Sequence, residues 1–144
     1  MKIKVRGVTV GALAAAAVVS TLAMGQPAMA ADAYIYRGDL APCPSGYTCL
    51  HDDSEQQFAG VGFYNDTWNF ATIPSAYRFI NNTATSGKNS TSGSNVTKLY
   101  DVAGGSGAAR CMRAGAQYAQ FNSAINNKAS ALVWASSCGS VTAM

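Results

Sequence analysis

The chain has 144 residues, of which 49% are hydrophobic and only 12% are charged, and its formal net charge is +3. Three of the ten basic residues, Lys2, Lys4 and Arg6, precede every acidic residue, so residues 31–144 carry 10 − 3 = 7 basic side chains against 7 acidic ones. This balance removes the support for a basic surface that binds nucleic acid or a membrane, and neither is a predicted partner. A chain of this length fits one domain that can bury a core.

Residues 1–30 have the pattern of a secretory signal peptide. A basic start is followed by an uncharged, alanine-rich stretch over 8–24, and Ala-Met-Ala over 28–30 supplies the small residues that signal peptidase requires. A membrane anchor is the alternative, but an alanine-dominated stretch followed closely by proline is a poor membrane span. The sequence therefore predicts a secreted protein, with an N-terminal arm over 31–41 and one domain over 42–144.

All four cysteines lie in the predicted exported part, and an even number in an oxidising compartment predicts two disulfides. Cys43 and Cys49 flank a turn-forming Pro-Ser-Gly sequence, which predicts that they pair and leaves Cys111 with Cys138. Zinc is the alternative, but the spacing is not that of a zinc finger, and the lone His51 cannot complete a pair of histidine ligands.

The exported part contains short segments that end in glycine or asparagine, which is the pattern of β-strands and turns. We expect strands near residues 46–51, 60–64, 76–81, 96–101, 108–113 and 131–135. Residues 85–95 are rich in Ser, Gly and Asn and are predicted to form a linker or long loop. Since no stretch has a clear helical pattern, the sequence predicts an all-β sandwich or barrel.

The two halves of this part present the same features in the same order. Each half has an acidic turn, a glycine-containing hairpin, a strand, two aromatic residues and a pair of asparagines, which begin NNTATS over 81–86 and NNKASA over 126–131. Two such units, about 42–90 and 95–139, are expected to pack as a pseudo-twofold sandwich, because neither can bury its apolar face alone.

An aromatic-x-Gly after a hairpin turn, followed later by N/D-N/D-x-x-S/T-S, resembles the βγ-crystallin Greek-key unit. Phe-Ala-Gly over 58–60 and NNTATS carry the resemblance in the first half, whereas the second half has Gly105 at the aromatic position and Ala131 at the final serine. The sequence CPSGYTCL and the strand at Cys111 are also similar to the bacterial secreted metallopeptidase-inhibitor family, which has a βγ-crystallin-like fold. The resemblance covers residues 42–139 and implies an all-β, βγ-crystallin-like sandwich of two Greek-key units.

The resemblance implies that the two asparagine loops bind calcium, which accepts amide, hydroxyl and carbonyl oxygens in flexible geometry. The implied ligands are Asn81, Asn82 and Ser86 in the first loop and Asn126, Asn127 and Ser130 in the second. Groups from the other unit's hairpin turn would join them, and Ala131 removes one expected oxygen from the second loop. Because both pairs are neutral, we expect weak binding, roughly 10⁻⁵–10⁻³ M. The alternative is that these side chains only satisfy the backbone of tight turns.

The similarity to the inhibitor family implies a protease contact just after the cysteine of the second half. A disulfide-bound strand edge suits this role, because the bridge orders the segment in advance and holds a cleaved chain together. The implied inhibitory contact is Cys111, Met112 and Arg113, with Met112 entering the hydrophobic pocket of a thermolysin-like enzyme. The alternative is that Met112 and Arg113 are ordinary strand residues, one inward and one outward.

Catalysis has little support in this sequence. There is no H-E-x-x-H zinc motif, and Asp52, Asp53 and Glu55 form a polar turn in which carboxylates are usually solvated. The predicted function is therefore non-enzymatic: a secreted, monomeric inhibitor of an extracellular metallopeptidase. A calcium-binding βγ-crystallin-type structural or stress module without a protease target is the alternative.

Overall fold

The structure is a computed structural model, which describes residues 33–38 and 42–144. The signal peptide predicted over 1–30 lies outside the described residues. Among the residues that are described, no helix is long and apolar enough to cross a membrane. The regular structure is mostly β-sheet with short 3₁₀ helices, which confirms the predicted all-β class.

In the described ranges, eight strands form two antiparallel sheets. The strands are β1 (Tyr34–Arg37), β2 (Thr48–His51), β3 (Gly60–Phe63), β4 (Ser86–Asn89), β5 (Val96–Val102), β6 (Ser106–Met112), β7 (Gln117–Tyr118) and β8 (Ala131–Ala135). The larger sheet has the order β1-β3-β2-β4-β7, and the smaller has the order β6-β5-β8. Three 3₁₀ helices complete the described elements: η1 (Ser54–Gln56), η2 (Phe70–Thr72) and η3 (Ser75–Ile80).

Each half of the chain pairs with the sheet of the other half. From the second half, β7 pairs with β4, and Gly87 lies opposite Tyr118. The reciprocal contact is a bridge between Thr67 of the first half and Leu132 of β8, with both backbone N–H···O distances 2.8 Å. The halves are therefore interlocked, because the larger sheet includes a strand of the second half and the smaller sheet is bridged by a residue of the first half.

The strand registers relate the two units by a pseudo-twofold arrangement. Thr48 lies opposite Phe63 in the first unit, and Thr97 lies opposite Met112 in the second. The two threonine hydroxyl oxygens are buried and 2.6 Å apart, so β2 of one sheet and β5 of the other meet at these residues. By the same register, Met112 is the counterpart of the core residue Phe63.

One hydrophobic core joins the two sheets, because it contains buried side chains from both. Its members are Leu50, Val61, Phe63, Phe70, Ile73, Ile80, Ala84, Leu99, Met112, Phe121, Ile125, Ala129 and Leu132. The two predicted disulfides are confirmed: Cys43 pairs with Cys49 and Cys111 with Cys138, at Cα–Cα distances of 5.8 and 5.7 Å.

The strand expected over 76–81 is wrong, because this segment forms η3. Tyr77 and Phe79 flank Arg78 in the sequence, which imitates the alternation of a half-buried strand. Pro74 precedes the helix, and its carbonyl accepts the Tyr77 N–H at 2.9 Å, which closes the first 3₁₀ turn. The alternation reflects two half-buried rings packed on the core rather than the two faces of a sheet.

The long loop expected over 85–95 is also wrong in its first part, because residues 86–89 form β4 inside the larger sheet. A Cβ atom on Gly87 would lie 2.8 Å from the Cys49 carbonyl oxygen and 2.9 Å from the Phe121 ring, so only glycine fits there. Asn89 is fully buried and bonded to neighbouring backbone. Part of the predicted N-terminal arm also forms a strand, since β1 pairs with β3 at the sheet edge.

The glycines of the two hairpins do not occupy equivalent positions. Gly60 lies opposite His51, and the residue opposite Tyr100 in the second unit is Ala109. The register also shifts between Tyr100 and Val102, which is a β-bulge. Gly105, placed by resemblance at the aromatic position, therefore belongs to the turn itself.

Candidate metal centre

The asparagine loops over 81–86 (loop one) and 126–131 (loop two) pair with each other through their backbones. Asn82 and Asn127 each donate a backbone N–H to an alanine carbonyl of the other loop, at 3.0 and 2.9 Å. Both residues have positive φ angles, 60° and 54°, a left-handed conformation that asparagine tolerates better than most residues. The two loops are therefore built alike and held side by side.

Side chains also cross between the loops. Thr85 donates its hydroxyl to Asn127 Oδ1 at 2.8 Å, and Ser130 donates its hydroxyl to Asn82 Oδ1 at 2.8 Å. Each hydroxyl oxygen also lies close to the carbonyl oxygen two residues earlier, at 3.1 Å for Thr85 and 3.2 Å for Ser130. One hydroxyl hydrogen cannot serve both acceptors. Each of these two crossing points, Thr85–Asn127 and Ser130–Asn82, therefore has more acceptor oxygens than donors.

The backbone pairing shows which predicted ligands correspond. Because Asn82 matches Asn127, Thr85 matches Ser130 and Ser86 matches Ala131. The two implied ligand sets therefore do not correspond, because Ser86 is the sixth residue of the first loop and Ser130 is the fifth residue of the second. Thr85 is the residue that sequence analysis missed, and the repeat itself carried the signal, since both hydroxyls stand fifth in their loops.

Ser86 has a different position from the asparagines. Its buried hydroxyl donates to the Asp53 carbonyl and accepts the backbone N–H of Gln56 at 3.1 Å. Ser86 therefore supports the hairpin turn of its own unit, and the structure does not bring it together with Asn81 and Asn82.

Two aspartates adjoin the crossing points. Thr85 donates its backbone N–H to the carbonyl of His51, the residue before Asp52. Ser130 does the same to the carbonyl of Tyr100, the residue before Asp101, and both distances are 2.8 Å. Each unit's acidic turn thus begins next to the hydroxyl residue of its own loop.

Four side-chain oxygens, two in the loops and two in the acidic turns, are buried and have no hydrogen-bond partner among the described residues. They are Asn81 Oδ1, Asn126 Oδ1, Asp52 Oδ1 and Asp101 Oδ1. They form two pseudo-equivalent pairs, so the same deficit of donors occurs twice. A buried acceptor without a donor or cation is costly, by roughly 1–3 kcal/mol or more for a charged group.

The chemistry of these atoms fits calcium and not a softer metal. The oxygens come from amides, hydroxyls, carbonyls and one aspartate in each unit, which are ligands of hard cations. The described residues contain no group of three or more His, Cys, Asp or Glu side chains that could hold a metal ion. A cation at either crossing point would therefore depend mainly on neutral oxygens.

The predicted inhibitory contact needs correction. Cys111 and Met112 are both 0% exposed, and the Met112 carbonyl accepts a hydrogen bond from the Asn89 amide at 3.1 Å. Met112 is a core residue because it takes the place that Phe63 has in the first unit. It therefore presents no side-chain surface to a protease, and of the three implied contact residues only Arg113 is exposed.

No protein-family model matches the chain, and no curated protein matches it significantly. Solved structures do align with it. One, which bears on the evolution of the eye-lens βγ-crystallin domain fold, has a TM-score of 0.59 at 12% identity and covers 71% of this chain and 96% of its own.

Two further solved structures give the same result. A βγ-crystallin domain from Clostridium beijerinckii has a TM-score of 0.51 at 14% identity, covering 63% of this chain and 99% of its own. Spherulin 3A from Physarum polycephalum has a TM-score of 0.51 at 13% identity, covering 69% and 93%. These comparisons support the βγ-crystallin part of the predicted resemblance and not the metallopeptidase-inhibitor part. At such identities they establish the architecture alone: the chain has the βγ-crystallin domain fold.

Proposed function

We propose that this protein is an exported, non-catalytic βγ-crystallin-type structural or stress-related module that calcium stabilises at the paired asparagine loops. The observation that carries the proposal is the surplus of buried acceptor oxygens, which occurs at equivalent positions in both units. The two disulfides agree with export, because such bridges persist in oxidising compartments.

Each of the two sites would draw on both loops. One would use Asp52, Thr85 and Asn127, and the other would use Asp101, Ser130 and Asn82. The first asparagine of each pair would supply a further oxygen, Asn126 to the site with Asn127 and Asn81 to the site with Asn82. Bound calcium would neutralise the clustered acceptors, and the side chains and backbone of the loops would orient those oxygens.

Calcium would then act as a clamp between the units. An ion that binds the folded chain alone adds about 2.7 kcal/mol of stability per site at a hundredfold excess over its dissociation constant. Because each site contains side chains from both loops, the ion would oppose separation of the two units. This suits a protein whose task is to persist outside the cell.

The proposal is tested by titrating calcium into chelator-treated protein, with heat and melting temperature as readouts. We expect saturable heat and a rise in melting temperature, both reduced in the Asp52→Asn and Asp101→Asn variants. Asp53→Asn is the matched control, because Asp53 is exposed and its capping oxygen is retained in asparagine. The expected dissociation constant is roughly 10⁻⁵–10⁻³ M. The proposal would be overturned if a hundredfold excess of calcium over that constant gave no saturable heat and no rise in melting temperature.

Inhibition of an extracellular metallopeptidase stays a prediction. The burial of Met112 leaves it without the contact that was implied for it. Incubating a stoichiometric excess of the protein with a thermolysin-like enzyme and measuring the residual protease activity tests inhibition directly. A loss of protease activity would revive inhibition and move the contact to an exposed segment.

A further inference from the structure

A groove of about 310 Å³ opens between the turn after Cys43, the segment that joins β4 to β5, and the last residues of β8. Its lining includes Ser45, Tyr64, Thr91, Ser92, Asn95 and Trp134, besides one glycine. None of these residues is charged. The groove uses none of the residues of the asparagine loops, so it is separate from the candidate calcium sites.

Two aromatic rings form the apolar part of the groove. Tyr64 is 45% exposed, and its ring packs against that of Tyr47 with the ring centroids 5.3 Å apart. Trp134 is partly exposed, and its backbone N–H is fixed by Asp66 Oδ1 at 2.8 Å. The negative face of such a ring attracts the weakly positive C–H groups of a saturated ring.

Three of the polar side chains in the groove are not hydrogen-bonded elsewhere in the described chain. Ser45, Ser92 and Asn95 are exposed, and their side chains make no hydrogen bond to the rest of the described chain. Together they offer hydroxyl and amide groups that both donate and accept. A ligand with hydroxyls of its own can satisfy them, whereas an ionic ligand finds no countercharge.

The walls of the groove are held in place before any ligand arrives. Gly46 donates its backbone N–H to the Ser90 carbonyl at 3.0 Å, next to the disulfide of the first unit. Buried Asn89 accepts the Thr91 hydroxyl at 2.7 Å and donates to the Asn95 carbonyl at 3.1 Å. A pre-ordered groove loses little conformational entropy on binding, so it can hold even a weakly interacting ligand.

From these features we propose that the groove binds a neutral pyranose unit of an oligosaccharide or polysaccharide. A pyranose ring has a C–H face for the aromatic rings and hydroxyls for the serine and asparagine side chains. The volume is at the lower end of the range of about 300–1,000 Å³ for ligand pockets, which suits one or two sugar rings. A proline-rich peptide also prefers aromatic grooves, but its prolines carry no N–H donors for the free acceptor oxygens.

Tryptophan fluorescence tests this inference, because the chain has two tryptophans and Trp68→Phe leaves Trp134 as the single reporter. The probes are neutral oligosaccharides of glucose, N-acetylglucosamine and mannose, together with decaproline. We expect at least one sugar series to give a saturable change, with tighter binding of the disaccharide or longer chains than of the monosaccharide.

The variants make the assignment specific. Asn95→Ala and Ser92→Ala, introduced in the same Trp68→Phe background, should each weaken sugar binding by about fivefold, the effect of one lost hydrogen bond. Ser94→Ala in that background is the matched control, since Ser94 is exposed in the same segment but does not line the groove. Equal affinity in all three variants would overturn the assignment. So would saturation by decaproline alone, or no sugar response up to about 10 mM.

Discussion

The two units share a topology but close their hairpins in different ways. In the first unit, η1 occupies the turn after β2, with Glu55 and Gln56 in left-handed conformations and the Ser86 hydroxyl bound to the turn. In the second unit, a tighter turn joins β5 to β6 and uses Gly104 and Gly105 at positive φ. Glycine adopts this conformation without strain, so this turn needs no supporting hydroxyl.

This difference explains why the final serine of the repeat is absent from the second unit. Ser86 stabilises a strained turn, and its counterpart Ala131 adjoins a turn without that requirement. The hydroxyls that cross between the loops, on Thr85 and Ser130, are present in both units. The units therefore differ in hairpin support and agree in their candidate calcium ligands.

The largest expected effect concerns Met112, which fills the place of Phe63. Met112→Asp buries a charge that has no partner in the core, and we expect it to lower the free energy of unfolding by more than about 4 kcal/mol. Urea denaturation followed by circular dichroism measures this. Arg113→Asp is the control, since Arg113 is exposed and its replacement should change stability by about 0.5 kcal/mol or less. A fully stable Met112→Asp protein would mean that this residue lies at the surface after all.

The disulfides provide the next largest contrast between the units. The Cys111–Cys138 bridge spans 27 residues, whereas Cys43–Cys49 spans 6. In the chain-entropy model, replacing the cysteine pair by serines should cost about 3–4 kcal/mol for the long loop and about 2 kcal/mol for the short one. Thermal unfolding of the two double variants measures the difference. A larger loss from the short bridge would show that it acts by ordering the native turn and not by restricting the unfolded chain.

The sequence predicted the fold class and both disulfides because these depend on local and countable features. Short segments bounded by glycine and asparagine indicate strands, and Cys43 and Cys49 flank a turn. The strand β4 escaped prediction because Gly87 is required by its close approach to Cys49 and Phe121, which no local pattern expresses. The Ser, Gly and Asn content of residues 85–95 is typical of a loop, and it therefore predicted a loop there.

The candidate site was predicted only in outline, because its contacts cross between the units. The loop pattern identified both asparagine pairs, but pairing of Thr85 with Asn127 depends on how the loops meet in space. The sequence places Asp52 in a polar turn where carboxylates are usually solvated, and it gives no signal that singles out Asp101. The resemblance implied ligands from the other unit's hairpin turn, and the folded position of each acidic turn identifies Asp52 and Asp101 as the candidates.

The smallest expected effect separates the support of a hairpin from the binding of an ion. Ser86→Ala leaves the buried Gln56 N–H without its acceptor, and we expect a loss of about 1–3 kcal/mol in unfolding free energy. Calcium affinity, measured by calorimetry on the folded protein, should change by less than about twofold, because no calcium ligand is lost. The reverse change, Ala131→Ser, should not improve calcium affinity, since the second unit already has Ser130 at the crossing point. A tenfold loss of affinity in Ser86→Ala, with a matching gain in Ala131→Ser, would instead make the final serine a ligand and the two units unequal in calcium binding.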